Sequence, residues 1–244
     1  MSRPQPRELV VINTTLVTPH MLRVTLGGEN MNTMPENQES GYVKLIFPSE
    51  SGRLMRTYTI RKQRADEIDI DFMLHDDSGP ASSWAKNAKA GDRILIGGPG
   101  PKKMIEESAQ WQLLIGDMTA LPAISVNLET LPADAKGYAV IEVVSEADIQ
   151  TLKHPAGIEI KWVINAQPGS NEQALLEEVK ALEWLSDDVS IWAACEFGSI
   201  KALRRFFKEE KKVEKSNLYI SSYWKQGSNE DQHKAVKRAE AEVA

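Results

Sequence analysis

The 244 residues read as an antiparallel β-barrel followed by a doubly wound α/β domain with a parallel sheet. Two observations predict this. Up to about residue 100 the apolar segments are short, are parted by turn residues and have almost no helical stretches between them, the pattern of an antiparallel barrel. From Trp111 onward the apolar runs are continuous and alternate with helix-length stretches, as in a parallel sheet covered on both faces. The change of pattern divides the chain into a barrel over 1–103 and an α/β domain over 104–244.

In the first part, Leu9 to Asn13 and Met21 to Leu26 are strands broken at Thr18-Pro19-His20, and Tyr42 to Phe47 is a third strand closed by Pro48. Ser51-Gly52 turns the chain into Arg56-Thr57-Tyr58-Thr59-Ile60-Arg61. Ile68 to Leu74 alternates apolar and acidic residues, which predicts a strand with one wet face. Gly79-Pro80-Ala81-Ser82-Ser83-Trp84-Ala85 opens a helix that ends near Gly91, and Arg93 to Pro101 is the last strand of the barrel. In the second part, strands are expected at Trp111 to Asp117, Tyr138 to Ser145, Ile158 to Ile164, Val189 to Cys195 and Asn217 to Tyr223. Helices are expected from Met118 to about Leu131, over 171–185 and 198–211, and as a polar terminal helix over 228–242.

Composition narrows the function. Lys and Arg total 29 against 35 Asp and Glu, a net charge of −6, so a nucleic-acid surface is disfavoured and any basic site is local. No run is long enough to span a membrane, the N-terminal residues lack the apolar core of a signal peptide, and the expected location is the cytoplasm. Cys195 is the only cysteine, which excludes an internal disulfide and a cluster ligated by four cysteines. The four histidines lack metal-site spacing, so redox chemistry would need a borrowed organic cofactor.

On a strand, Arg56, Tyr58 and Ile60 share one face. An arginine fork suits phosphate oxygens and a phenol ring suits a flat ring system, which together fit a dinucleotide flavin. A surface strand with solvated arginines is the other reading of this hexapeptide. The helix opening at Gly79 and Pro80 offers free N–H groups and a positive dipole end, with Ser82 and Ser83 nearby, an arrangement suited to pyrophosphate or simply to a capped helix. In the α/β half, Asp117, Thr119, Ser145, Glu146, Cys195, Glu196, Trp224 and Lys225 follow strand ends, where the topology places a ligand crevice. No Gly-x-Gly-x-x-Gly fingerprint follows the first of these strands.

Five motifs in order, the hexapeptide at 56–61, the 79–85 segment, Gly116-Asp117-Met118-Thr119-Ala120-Leu121-Pro122-Ala123-Ile124, Trp192-Ala193-Ala194-Cys195-Glu196 and Tyr223-Trp224-Lys225-Gln226-Gly227, resemble siderophore-interacting proteins. These are ferric-siderophore reductases of ferredoxin reductase-like architecture. Two positions depart from the pattern: Ile60 stands where Pro is common, and Cys195 where Gly is usual.

The resemblance implies a FAD-binding barrel and an NAD(P)H-binding α/β domain. FAD would be held by Arg56, Thr57, Tyr58 and Thr59, by His75, and by Gly79, Pro80, Ala81, Ser82 and Ser83. Asp117 and Thr119 would line the flavin and nicotinamide side, with Glu196, Tyr223 and Trp224 closing the pocket. Catalysis would belong to the flavin, supported by Asp117, Thr119 and Glu196, with no protein ligand to metal. Lys44, Lys102 and Lys225 are the candidates for an anionic ferric siderophore, and each taken singly reads first as a solvated surface charge. The expected donor is NADH or NADPH, with ferredoxin as a second candidate, and the expected state is a monomer. A flavin reductase with another acceptor and a non-catalytic binder of flavin or iron chelates stay open as alternatives. Cys195 reads as a buried, inert thiol.

Overall fold

A computed structural model describes residues 5–49, 52–75 and 79–228. The chain divides into two compact units, Met1–Lys103 and Met104–Ala244.

The first unit is one seven-stranded antiparallel sheet built from β1 (Arg7–Thr18), β2 (Met21–Gly27), β3 (Tyr42–Ser49), β4 (Gly52–Thr59), β5 (Lys62–Gln63), β6 (Glu67–Met73) and β7 (Arg93–Gly100). Its order is β4-β3-β7-β1-β2-β6-β5. The expected barrel is a curled half-barrel whose two edges, β4 and β5, are consecutive in the chain and joined through Ile60 and Arg61. Alternation drives the curl: Leu9, Val11, Val24, Leu26, Val43, Leu45, Ile68, Ile70 and Phe72 point inward and form one core, with the helix α1 (Pro80–Asn87) contributing Ala81 and Ala85.

The face of β6 predicted to be wet is covered instead. Asp69 and Asp71 are only 5% and 8% exposed. Arg23 on β2 grips Asp71 with two bonds of 2.6 and 2.8 Å, and Arg64 reaches Asp69 at 2.7 and 2.9 Å while also pairing with Glu67. The cross-strand arginines satisfy the carboxylates and bury them under their own stems.

The second unit is a five-stranded parallel sheet of β8 (Trp111–Gly116), β9 (Lys136–Val143), β10 (Gly157–Ile164), β11 (Val189–Glu196) and β12 (Leu218–Trp224), in the order β10-β9-β8-β11-β12. Every residue of β8 and β11 is buried, which explains their unbroken apolar sequences. Side chains of α3 (Ala174–Ala181) and α4 (Phe197–Arg205) pack with Leu113, Ile115, Val140 and Ala193 in one core. The helix α2 (Leu121–Thr130) follows β8 and buries its first eight residues.

The helix expected over 198–211 widens into a π-turn at Phe206–Glu210, where the amide of Lys211 bonds to the carbonyl of Phe206. The expected terminal helix over 228–242 lies almost wholly outside the described residues. Strand order reverses between β8 and β11, so the crevice of this fold lies at their C-terminal ends, at Asp117 and Glu196.

Candidate flavin and nucleotide sites

In the first unit, β4 carries the predicted flavin residues. Leu54 and Tyr58 pack on the core, Ile60 is fully buried, and Arg56 is half-buried on the same alternating face. The Tyr58 ring lies 4.4 Å from Phe72 at a tilt of 36°, and Phe72 in turn lies 5.9 Å from Trp84 of α1. Phe72 thus links the strand to the helix. One nitrogen of Arg56 donates to the Met55 carbonyl at 2.9 Å.

Thr57 is exposed and stands opposite Lys44 in the β3–β4 register, on the face away from Arg56 and Tyr58. Thr59 is half-buried at the strand end, and His75 is exposed after β6, where its carbonyl accepts from Lys86 at 2.8 Å.

The start of α1 fits an anion. Gly79 is its N-cap and Pro80 its first residue, and among the described residues no side chain caps the first N–H groups. A Cβ at Gly79 would meet nothing within 4 Å, so the approach is open. Ala81 and Ser82 are buried, the Ser82 hydroxyl lying 3.4 Å from the Met73 carbonyl, while Ser83 is half-buried. A helix start at Gly79 and Pro80, an arginine and a tyrosine in one unit suit a group with phosphates and a flat ring.

In the second unit the strand ends converge on Asp117. Its Oδ1 accepts from the Thr119 amide at 2.9 Å and the Thr119 hydroxyl at 2.5 Å. Its Oδ2 accepts from the Glu196 amide at 3.0 Å and from the Trp224 indole N–H at 2.7 Å. One carboxylate therefore ties the ends of β8, β11 and β12. Gly116 makes this possible, because a Cβ there would lie 2.7 Å from the Ala194 carbonyl and 2.8 Å from Ala120.

Glu196 caps α4 by accepting from the amides of Gly198 and Ser199, and its other oxygen accepts from the Gln226 amide at 3.1 Å. Burial pushes the Asp117 carboxyl above its ordinary pKa, while its four donors act to lower it.

The remaining strand-end residues are arranged differently. Ser145 donates to Asp148 at 2.7 Å and Glu146 is exposed, so neither joins the Asp117 cluster. Tyr223 turns toward Trp192 at 6.3 Å. The ammonium of Lys225 lies 4.9 Å from the Phe197 ring, Lys44 is half-buried and Lys102 exposed. Cys195 is fully buried in the α3–α4 core and burial pushes its thiol well up, matching the inert reading.

Sequence reasoning missed Glu142. It is 6% exposed near the end of β9, and its carboxyl is pushed up to about 7, first by burial and then by the charges of Asp117 and Glu196. A single acid inside the apolar run Tyr138 to Val144 was its signal.

A curled antiparallel sheet followed by a parallel sheet of this order defines a two-domain flavoprotein reductase fold of the ferredoxin reductase type. More narrowly, the chain belongs to the siderophore-interacting protein family. The family's C-terminal profile matches residues 109–227, and the siderophore-interacting FAD-binding domain matches 10–55 and 50–103. The chain is 32% identical to the ferric vibriobactin reductase ViuB of Vibrio cholerae, covering 95% of this chain and 93% of that protein. It is 27% identical to an NADPH-dependent ferric-chelate reductase of Escherichia coli, over 89% and 92% of the two chains. The crystal structure of the siderophore-interacting protein SipS from Aeromonas hydrophila superposes with a TM-score of 0.87 at 33% identity, covering 97% of this chain and 98% of that one.

Proposed function

We propose that this chain is a FAD-dependent reductase of ferric siderophores, using NADH or NADPH as donor. The observation that carries the proposal is the Gly79-Pro80 start of α1 in the same unit as Arg56 and Tyr58, within the half that matches the FAD-binding family. The reductase names of the Vibrio and Escherichia relatives support the reaction, and the latter supports NADPH.

FAD would supply two-electron acceptance from a reduced nicotinamide and one-electron delivery to Fe(III). The first-turn amides of Ala81 and Ser82, framed by Gly79, Pro80 and Ser83, and the Arg56 guanidinium would hold its phosphates, with Tyr58 and Thr59 beside the ring and His75 and Thr57 at the margin. In the α/β unit, Asp117 fixes Thr119, Trp224 and the start of the Glu196 turn, so these groups would offer one rigid face to the nicotinamide, with Tyr223 at the same strand end.

Lys44, Lys102 and Lys225 would attract the anionic chelate, and Fe(III) enters as substrate. Reduction weakens the hold of hard oxygen ligands on iron, which releases it as Fe(II). Ferredoxin would replace the nicotinamide donor without changing the acceptor side.

Purified protein tests this reading. It should be yellow or take up added FAD, and should produce Fe(II), trapped by a ferrous-specific chromogenic chelator, only when a ferric siderophore and a donor are both present. Protein that binds no FAD would overturn it.

A further inference from the structure

Three carboxylates are buried together at the ends of adjacent strands. Glu142 on β9, Asp117 after β8 and Glu196 ending β11 are each 6% exposed or less. Among the described residues no group of three acids, histidines or cysteines is disposed to hold a metal. Burial disfavours the charged form of Asp117, and burial together with the neighbouring carboxylates disfavours that of Glu142.

The hydrogen bonds show where a proton belongs. Both oxygens of Asp117 receive donors, and of the four only the Thr119 hydroxyl is also able to accept. Glu196 receives two amides at the start of α4 and a third from Gln226. Glu142 has no such set. Its neighbour from the segment after β10 is the Asn165 amide, which favours the charged form but whose buried Nδ2 makes no well-formed hydrogen bond.

Among the described residues the other charged groups around it are acidic or engaged elsewhere. Gly116 stands opposite Ile141 on one side and Ala194 on the other, so Asp117 follows β8 between Glu142 and the Cys195–Glu196 end of β11, and the charges of Asp117 and Glu196 act on Glu142. On α3, which packs on β9, Lys180 pairs with Glu210 at 3.6 Å and Glu178 acts on Lys161. On β10, Lys161 is bound to Glu159 at 2.5 Å.

We propose that Glu142 is the protonated member of this trio and a positioning residue, whose neutrality lets Asp117 keep the ends of β8, β11 and β12 tied at Trp224. Its upward shift to about 7 is the energetic counterpart of this geometry. As pH rises through that value a third buried charge appears beside Asp117, and the bond from the Trp224 indole weakens. The folded-state pKa lies above the ordinary 4.5, so the stability it contributes is present below that value and is lost as pH rises toward about 7. The reading above places the nicotinamide on these strand ends, so donor KM should rise over the same window; that arm alone rests on that reading.

The test is a pH titration of the full-length, FAD-supplemented protein with labelled tryptophan and glutamate. The Trp224 indole N–H resonance, assigned with Trp224→Phe, and the Glu142 carboxyl resonance should both inflect near pH 7. Glu142→Gln should abolish the indole inflection, and should remove most of a Tm loss of roughly 5–10 °C between pH 5 and pH 8. A wild-type indole resonance flat between pH 6 and 8, a Glu142 carboxyl titrating below about pH 5.5, or an inflection unchanged in Glu142→Gln would each overturn the proposal. If Glu142→Gln does not fold, the two wild-type titrations decide alone. Absence of donor binding with the indole inflection intact would count against the reductase reading and leave this proposal standing.

Discussion

Replacing Asp117 tests how the strand ends of the α/β unit are held. In Asp117→Ala the Trp224 indole N–H and the amides of Glu196 and Thr119 lose their acceptor together. Each buried donor left unmatched costs about 1–3 kcal/mol. Relief of the burial penalty on the carboxylate, which pushes its pKa up, offsets part of that sum. A net loss of about 2–4 kcal/mol follows, read by calorimetry as a fall of roughly 5–12 °C in the transition of this unit.

Asp117→Asn is the informative control. Its carbonyl oxygen still accepts from Glu196 and Trp224, and its amide donates to the Thr119 hydroxyl, which is free to reverse its role. Only the Thr119 amide is opposed, so the loss should be about 1 kcal/mol. Removing this charge also takes away one cause of the raised Glu142 pKa, so Glu142 should titrate at lower pH in this variant. Equal losses in the two variants, or an alanine variant within about 0.5 kcal/mol of wild type, would refute the reasoning.

Three further outcomes are expected. Arg56→Ala removes a charge-assisted phosphate contact worth about 1.5–3 kcal/mol, so the FAD dissociation constant measured by flavin fluorescence should rise roughly 10- to 100-fold. Gly116→Ala forces a methyl against the Ala194 carbonyl and Ala120, and should cost about 1–3 kcal/mol in thermal unfolding. Lys225→Ala should raise KM for an anionic ferric siderophore several-fold, with little change in kcat and a smaller effect at high salt.

Much of the fold was legible because two periodicities meet in one chain. Turn residues bounded β2 and β3, alternation marked β6, and continuous apolar runs marked β8 and β11. The reading ended β1 at Asn13, but the strand continues to Thr18 through the β-branched Thr14, Thr15 and Val17. The two polar residues of β5 gave no signal at all.

The wet face expected for β6 failed for a physical reason. Acidic residues alternate along it as on an exposed strand, but Arg23 and Arg64 come from elsewhere in the chain to cover them. The strand-end cluster was partly legible, because Asp117, Thr119, Glu196 and Trp224 all follow strands. Glu142 was not, because its importance depends on burial beside two other carboxylates, and pairing between strands is invisible in a linear pattern.

The central claim, that this chain passes electrons from a nicotinamide through FAD to siderophore-bound iron, is tested most directly by anaerobic stopped-flow spectroscopy of the FAD-loaded protein. Flavin absorbance should bleach on mixing with NADH or NADPH and return on mixing with a ferric siderophore, with Fe(II) formed in a 2:1 ratio to flavin reoxidised, as one-electron delivery from a two-electron carrier requires. Flavin that stays oxidised with both nucleotides and with reduced ferredoxin, or reduced flavin that a ferric siderophore does not reoxidise, would contradict the account.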